Sequence, residues 1–430
     1  MPSRRALLAG LGAGGLAGLA GCSAGTLLEP DPDPVPVADA TPGPDDWPLI
    51  GYDARNTRYN AGASPPTSAP EERWRTDLGW AMTPTVRGTR LVVVDYEGVT
   101  ALRTTDGEVA WRAAEGEQFV SNYVTPVLGA ERVYYAGPRC VRGFDLTDGT
   151  ESWRATPCRG ANNYQPTVAD GRVHMEHGGY LSAIDDAGRT TWASAHDARP
   201  GPAVVDGRAY VATAFTVKAV DLSAPVREPL FEGDEAGDDH PATADRERAT
   251  AWELPRVDPS MRVWHSPAVV DGTVYAPLSD LGAGRIVALD AETGDERWRF
   301  RAERGAEDGW TTAPVVADDA VHFGADDGFV YRVGADGERR WRRDLSGHPW
   351  EVVGADEVLL VRSHRHADAP DGRAGFLHAL DLATGETRWR LGYDDELRGL
   401  SVAGGSVYAS LVTERNDDGE ILGTAVVALG

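Results

Sequence analysis

One recurring phrase constrains the fold of this chain more than any other feature. It runs through a small residue and a proline, a hydrophobic pair, an Asp-Gly or equivalent turn, an alternating strand, a strand of the form Ala-Leu-Asp, a glycine turn and a closing tryptophan. Pro84, Pro126, Pro166, Pro267 and Pro314 are followed by Trp111, Trp153, Trp192, Trp298 and Trp341 at separations of 27, 27, 26, 31 and 27 positions, and Pro202 opens a further copy. Self-similarity at a fixed period marks a supersecondary unit that buries its faces against its own copies. The clearest second halves are ALDAETGDERW, ending at Trp298, and ALDLATGETRW, ending at Trp389. Their apolar residues alternate, as in a strand, and Asp-x-x-Thr-Gly suits a tight hairpin because glycine tolerates positive φ. The tryptophan then begins an outermost strand and can wedge its ring against the next unit, contributing ~2–3 kcal/mol of burial. A proline at the first position of an innermost strand is tolerated, since that position need not donate to the ladder.

Counted by this phrase, the copies cover about 80–112, 121–154, 162–193, 200–231, 264–299, 310–342 and 348–390, with an eighth from 397 to the end. The eighth stops at Ala428-Leu429-Gly430, short of its turn and tryptophan, while Glu72-Arg73-Trp74-Arg75 near the other terminus has the form of the missing strand. The expected fold is therefore all-β: an eight-bladed β-propeller of four-stranded antiparallel blades, closed by the N- and C-terminal strands so that no sheet edge stays open. The 50 glycines and 28 prolines agree with many turns and short strands. Trp74, Trp111, Trp153, Trp192, Trp298, Trp341 and Trp389 are the expected blade-docking residues. The fourth copy is weakest: Ala219-Val220-Asp221-Leu222 begins normally, no Thr-Gly or tryptophan follows, and Phe231 stands in. An acidic insertion over 232–262 reads as a solvated loop, with a partner-binding or channel-covering loop as the alternative.

Residues 1–22 read as a secretory signal, with Arg4 and Arg5 ahead of an apolar, glycine-laden stretch too short for a membrane span. The paired arginines resemble a twin-arginine export signal, and Leu19-Ala20-Gly21-Cys22 resembles a lipobox with Cys22 as the lipidated residue. Residues 23–46, rich in proline and aspartate, are expected to form an extended tether ahead of a propeller over 47–430. These segments imply export to the outer face of the cytoplasmic membrane and a lipid anchor. The remaining cysteines, Cys140 and Cys158, make an even pair in an oxidising compartment; a disulfide is the expectation and two free buried thiols the alternative.

The chain carries a net charge of −25, and Lys218 is its only lysine. Such a surface repels a phosphate backbone, and no basic run with interleaved aromatics occurs, so a nucleic-acid partner is excluded. Acidity with lysine depletion suits a halophilic protein kept soluble in concentrated salt.

The Ala-x-Asp-x-x-Thr-Gly-x-x-x-Trp phrase resembles the tryptophan-docking motif of the pyrroloquinoline-quinone (PQQ)-type eight-bladed propellers, over residues 47–430. The opening Trp47-Pro48-Leu49-Ile50-Gly51-Tyr52-Asp53, with Asn56-Thr57-Arg58-Tyr59-Asn60, is similar to the start of that family. The family resemblance implies either quinone-dependent dehydrogenases or cofactor-free lipoproteins, such as haloarchaeal members and the propeller lipoprotein of the outer-membrane assembly machine. The dehydrogenases would need calcium-bound quinone in the channel, acidic and amide calcium ligands, a general-base aspartate and commonly adjacent cysteines. This chain has no adjacent cysteines and is shorter than is usual for those enzymes. Asp145, Asp185, Asp221, Asp290 and Asp381 recur at one repeat position, which makes them turn residues rather than catalytic ones. His364 and His366, and likewise His174 and His177, lack the further ligands a metal site needs. The expectation is a binding or scaffolding module for protein partners, monomeric, attached to the membrane through its lipid, with no catalytic residue, cofactor or metal. The alternative is a quinone-dependent dehydrogenase.

Overall fold

The computed structural model describes residues 33–38, 41–115, 124–137, 140–155, 165–177, 180–195, 201–223, 250–255, 262–280, 282–303, 309–364 and 373–430. Pro34–Gly430 form one unit. Its strands assemble into eight antiparallel meanders, the eight-bladed propeller expected from the repeat. The first strands of the blades are Thr85–Arg87, Val127–Leu128, Thr167–Ala169, Ala203–Val205, Ala268–Val270, Val315–Ala317, His348–Ala355 and Leu397–Ala403. Successive first strands touch one another from blade 1 to blade 2 and from blade 3 to blade 8, and the eighth touches the first, so they line a central channel. Blade 7 carries an extra parallel strand, Tyr59–Asn60, against His348–Ala355.

The ring closes as the terminal strands predict. Glu72–Leu78 pairs antiparallel with Ile421–Leu429, placing Trp74 opposite Ala428. One ladder thus joins both ends of the chain and removes the edge an open eighth blade would expose.

The tryptophans act at the blade junctions. Trp74, Trp111, Trp298, Trp341 and Trp389 each donate their indole N–H to a backbone carbonyl, at 2.7–3.3 Å. Five of the rings also cover a turn glycine of the next blade: Trp74 on Gly107, Trp111 on Gly149, Trp153 on Gly188, Trp298 on Gly337 and Trp341 on Gly385. Each of those glycines has positive φ, so the turn glycine of the phrase serves its own hairpin and the neighbour's ring together. Trp192 lies in register with Ala183 in the outer strand of blade 3; its side chain is outside the described set.

Blade 4 departs from the expectation. Its outer strand is Thr250–Glu253, and Trp252 is its docking residue: the indole donates to Ala291 O at 3.0 Å and covers Gly294. The insertion therefore lies within the hairpin between the third and fourth strands, not after the blade, and Phe231 is outside the described residues. A long insertion leaves the ladder intact because closure entropy grows slowly with the length of chain between paired strands.

The expected tether is also partly docked. Val37 is 2% exposed within the core of blades 2 and 3 and donates its amide to Gly171 O, while Val35 N reaches Asp185. Val37 has thus found an apolar groove while Val35 stays 45% exposed, where an extended spacer was expected.

Candidate functional site: a plugged channel and an aromatic face

In a four-stranded meander the first and third turns lie on one face of the ring, and the second turns and interblade connections on the other. The first face is sealed by the chain's own N-terminal segment. Trp47 exchanges backbone hydrogen bonds with Val86 in blade 1. The amides of Leu128, Val204, Val269, Val316 and Gly354, in blades 2, 4, 5, 6 and 7, then donate to the carbonyls of Pro48, Ala54, Arg55, Thr57 and Arg58 at 2.7–3.0 Å. Asn60 reaches Val402 O in blade 8. Residues 47–60 therefore run round the inner rim and satisfy first-strand amides that would otherwise face the channel.

Holding that path requires strain. Tyr52, Asn56 and Arg58 have φ of 70°, 57° and 52°, a region side-chain-bearing residues seldom adopt. Side chains hold the segment in place. Asp53 accepts the amides of Arg55 and Thr57, and the buried Asn56 amide donates to Gly201 O and Pro267 O.

Arg58 carries charge into the channel. Its carbonyl accepts from Gly354, yet its guanidinium lies 3.7 Å from Glu351, three residues along the strand toward the opposite face. Arg362, opposite Glu351 on the next strand, is 3.3 Å from the same carboxylate. Loss of hydration lowers both arginine pKa values, and Glu351 opposes the shift. His265, entering blade 5, is pushed down to about 4 by desolvation and then by the Arg58 charge.

The open face is aromatic. Trp264 and Trp350 are 58% and 48% exposed, Tyr96 50% and Phe215 40%; these are the largely exposed aromatic rings among the described residues, and all lie in second turns, connections or strand starts on this face. Trp310 stacks on Trp350 with centroids 5.0 Å apart. From there the surface continues through His364, Glu396 and Arg398 to Trp80 and Tyr96, crossing blades 6, 7, 8 and 1. A ladder irregularity between Pro349 and Glu351 falls at Trp350, and such bulges re-aim side chains. Sequence reasoning missed these rings because they sit at the starts of copies or in second turns, where the phrase fixes no residue type.

The residues present do not fit calcium-bound quinone. Glu351, the carboxylate beside Arg58 in the channel, lies between two guanidinium groups that compete with any cation. Among the described residues no group of three or more His, Cys, Asp or Glu side chains could hold a metal ion.

The repeat aspartates behave as turn residues. Asp145, Asp185, Asp221, Asp290 and Asp381 each accept backbone amides of their own hairpins, as Asp290 does from Glu292 and Thr293. His174 is buried, bonded to Ala169 O and pushed down to about 4 by desolvation. His364 lies 3.7 Å from Glu396, whereas His366 and the His177 side chain are outside the described set. Cys140 is buried and disulfide-bonded; Cys158, Arg4, Arg5 and Cys22 lie outside the described residues. No helix among the described residues is long and apolar enough to cross a membrane.

Comparison with known proteins gives the same architecture. The family described as outer membrane protein assembly factor BamB matches residues 67–175, 140–391 and 326–422. Among curated proteins, the serine/threonine-protein kinase AfsK of Streptomyces coelicolor is 29% identical over 229 residues, 44% of this chain and 27% of the kinase. The match thus spans well under two thirds of that relative's length. The crystal structure of BamB from Moraxella catarrhalis superposes with a TM-score of 0.57 at 17% identity, covering 84% of this chain and 98% of that one. Quinohemoprotein alcohol dehydrogenase from Comamonas testosteroni gives 0.60 at 13% identity, covering 90% and 81%. At those identities the likeness is one of fold. With eight blades and a match running from residue 67 to residue 422, the chain belongs to the BamB family of PQQ-type β-propellers.

Proposed function

We propose that this protein is a binding or scaffolding module that engages protein partners through its open face, and that it is not a quinone-dependent dehydrogenase. The observation that carries this reading is the aromatic surface of Trp264, Trp310, Trp350, Trp80 and Tyr96 with interleaved arginines, on which Trp264, Trp350 and Tyr96 are largely exposed, opposite the plugged face. Tryptophan, tyrosine and arginine supply most of the energy in protein interfaces, because they bury large areas while keeping a polar handle. Plug and face divide the labour: one seals the ring, the other is free to bind. The competing cations round Glu351 argue against the dehydrogenase reading.

The test is affinity capture from native membranes with the full chain and with a Trp264→Ala, Trp350→Ala variant. Loss of a specific partner, with the thermal midpoint unchanged, is expected. Equal recovery by both proteins contradicts the reading.

A lipid anchor at Cys22, presenting the propeller on the outer face of the cytoplasmic membrane, belongs to the same proposal and rests on Arg4, Arg5 and the Leu19–Cys22 sequence. Cys22→Ser should move the protein from the membrane to the soluble fraction, and undiminished membrane retention would refute the anchor.

A further inference from the structure

Arg58 and Arg362 share one carboxylate, Glu351. Beside them Arg398 pairs with Glu396 at 2.8 Å and Arg415 with Asp395 at 2.9 Å, so these two carboxylates already have a guanidinium each. The imidazoles of His265 and His364, both pushed down to about 4 chiefly by desolvation, supply no charge at neutral pH. Two guanidinium groups thus share one ion-pair partner, within a chain of net charge −25.

Arginine cannot relieve that shortage of partners by releasing its proton. A poorly hydrated charge with half a partner is costly, and an incoming anion would recover the difference. The Arg58 and Arg362 side chains keep 10% and 15% of their exposure, so they remain reachable. Thr57, next to Arg58, adds a buried hydroxyl with no hydrogen-bond partner. The same mouth is rimmed by apolar surface, the stacked Trp310 and Trp350.

We propose that the open mouth receives one carboxylate of a protein partner, seated against Arg58 and Arg362, with an adjoining apolar side chain of the partner packed on Trp350 and Trp310. This rests on the reading of the chain as a protein-binding module and specifies what the partner presents. A charge-assisted contact between carboxylate and guanidinium is short, directional and stronger than a neutral one, and here it would form in a partly dehydrated site. An acidic side chain and a chain terminus offer the same chemistry.

Three peptides test it, titrated into the purified protein with tryptophan fluorescence as the readout: acetyl-Gly-Phe-Glu-Gly-amide, its Gln counterpart, and acetyl-Gly-Gly-Phe with a free carboxylate. At least one carboxylate peptide should bind saturably, ten-fold or more tighter than the Gln peptide, and the better of the two identifies the source. Arg362→Gln should weaken that binding at least ten-fold. Glu351→Gln removes the competing carboxylate and should tighten it several-fold, with a larger rise in thermal midpoint on peptide addition. Trp350→Ala, at an exposed position that the fold tolerates, should weaken it and separates binding loss from misfolding. Equal binding of the Glu and Gln peptides, or no saturable binding below millimolar, overturns the proposal. If the peptides fail while partner capture still depends on Trp264 and Trp350, only the carboxylate assignment falls; if capture is insensitive to both rings, the binding-module reading falls with it.

Discussion

The indole of Trp252 lies on the α-carbon of Gly294 in the next blade, so closely that a methyl group there would come within 2.7 Å of the ring. Gly294 has φ of 77°, so two separate constraints demand glycine: the hairpin conformation and the neighbour's ring.

The two constraints separate experimentally. Gly207 has φ of 72° but nothing within 4 Å of the position a Cβ would take. Gly207→Ala should cost about 1 kcal/mol for the conformation alone. Gly294→Ala adds the collision and should cost clearly more, and Trp252→Ala should cost ~3–5 kcal/mol through the cavity it leaves. Urea midpoints of the three variants check this; equal losses for the two glycines would contradict the docking account.

Sequence legibility followed the range of the interactions. Hairpin signals and the proline-to-tryptophan spacing are local, so the blades, the strand carrying Trp74 and the repeat aspartates could be read directly. Trp252 was hidden because a long insertion moved it out of phase, although its contacts copy those of Trp298. The plug and the docked Val37 depend on pairings far apart in the chain, such as Ala54 with Val204, which carry no periodic signal. Trp80 and Tyr96 become neighbours of the Trp350 surface only because blade 8 closes onto blade 1.

Stability should fall with acid over a defined window. His322, buried in blade 6, is pushed down to about 3, chiefly by desolvation, and His174 to about 4. Unfolded histidines titrate near 6.5, so below that pH the unfolded chain binds more protons, and the stability contributed by these residues is lost as pH falls toward 3. Above about 6.5 their contribution is fully present. His322→Gln should flatten the dependence of unfolding free energy on pH between 6.5 and 4.5 by at most one proton, about 1.4 kcal/mol per pH unit. An unchanged slope in urea titrations would show that His322 already takes up a proton in the folded protein.

A quinone site would be visible as thermodynamic linkage. A ligand that binds only the folded state raises the melting temperature by mass action. Adding calcium and pyrroloquinoline quinone together should leave the midpoint unchanged and should support no dye-linked alcohol oxidation, since Arg58 and Arg362 already hold Glu351. A saturable rise accompanied by substrate-dependent dye reduction would replace the scaffold reading with the enzymatic one.

The central claim is that partners meet the open face and not the plugged one. Site-specific photocrosslinking in native membranes tests this most directly, with the photoreactive residue placed at position 264 or 350 on the open face, or at position 109, where Val109 is 41% exposed just after a third turn on the plugged face. The account predicts a discrete protein adduct from positions 264 and 350 and none from 109. Adducts of equal yield from all three positions, or from 109 alone, would contradict it.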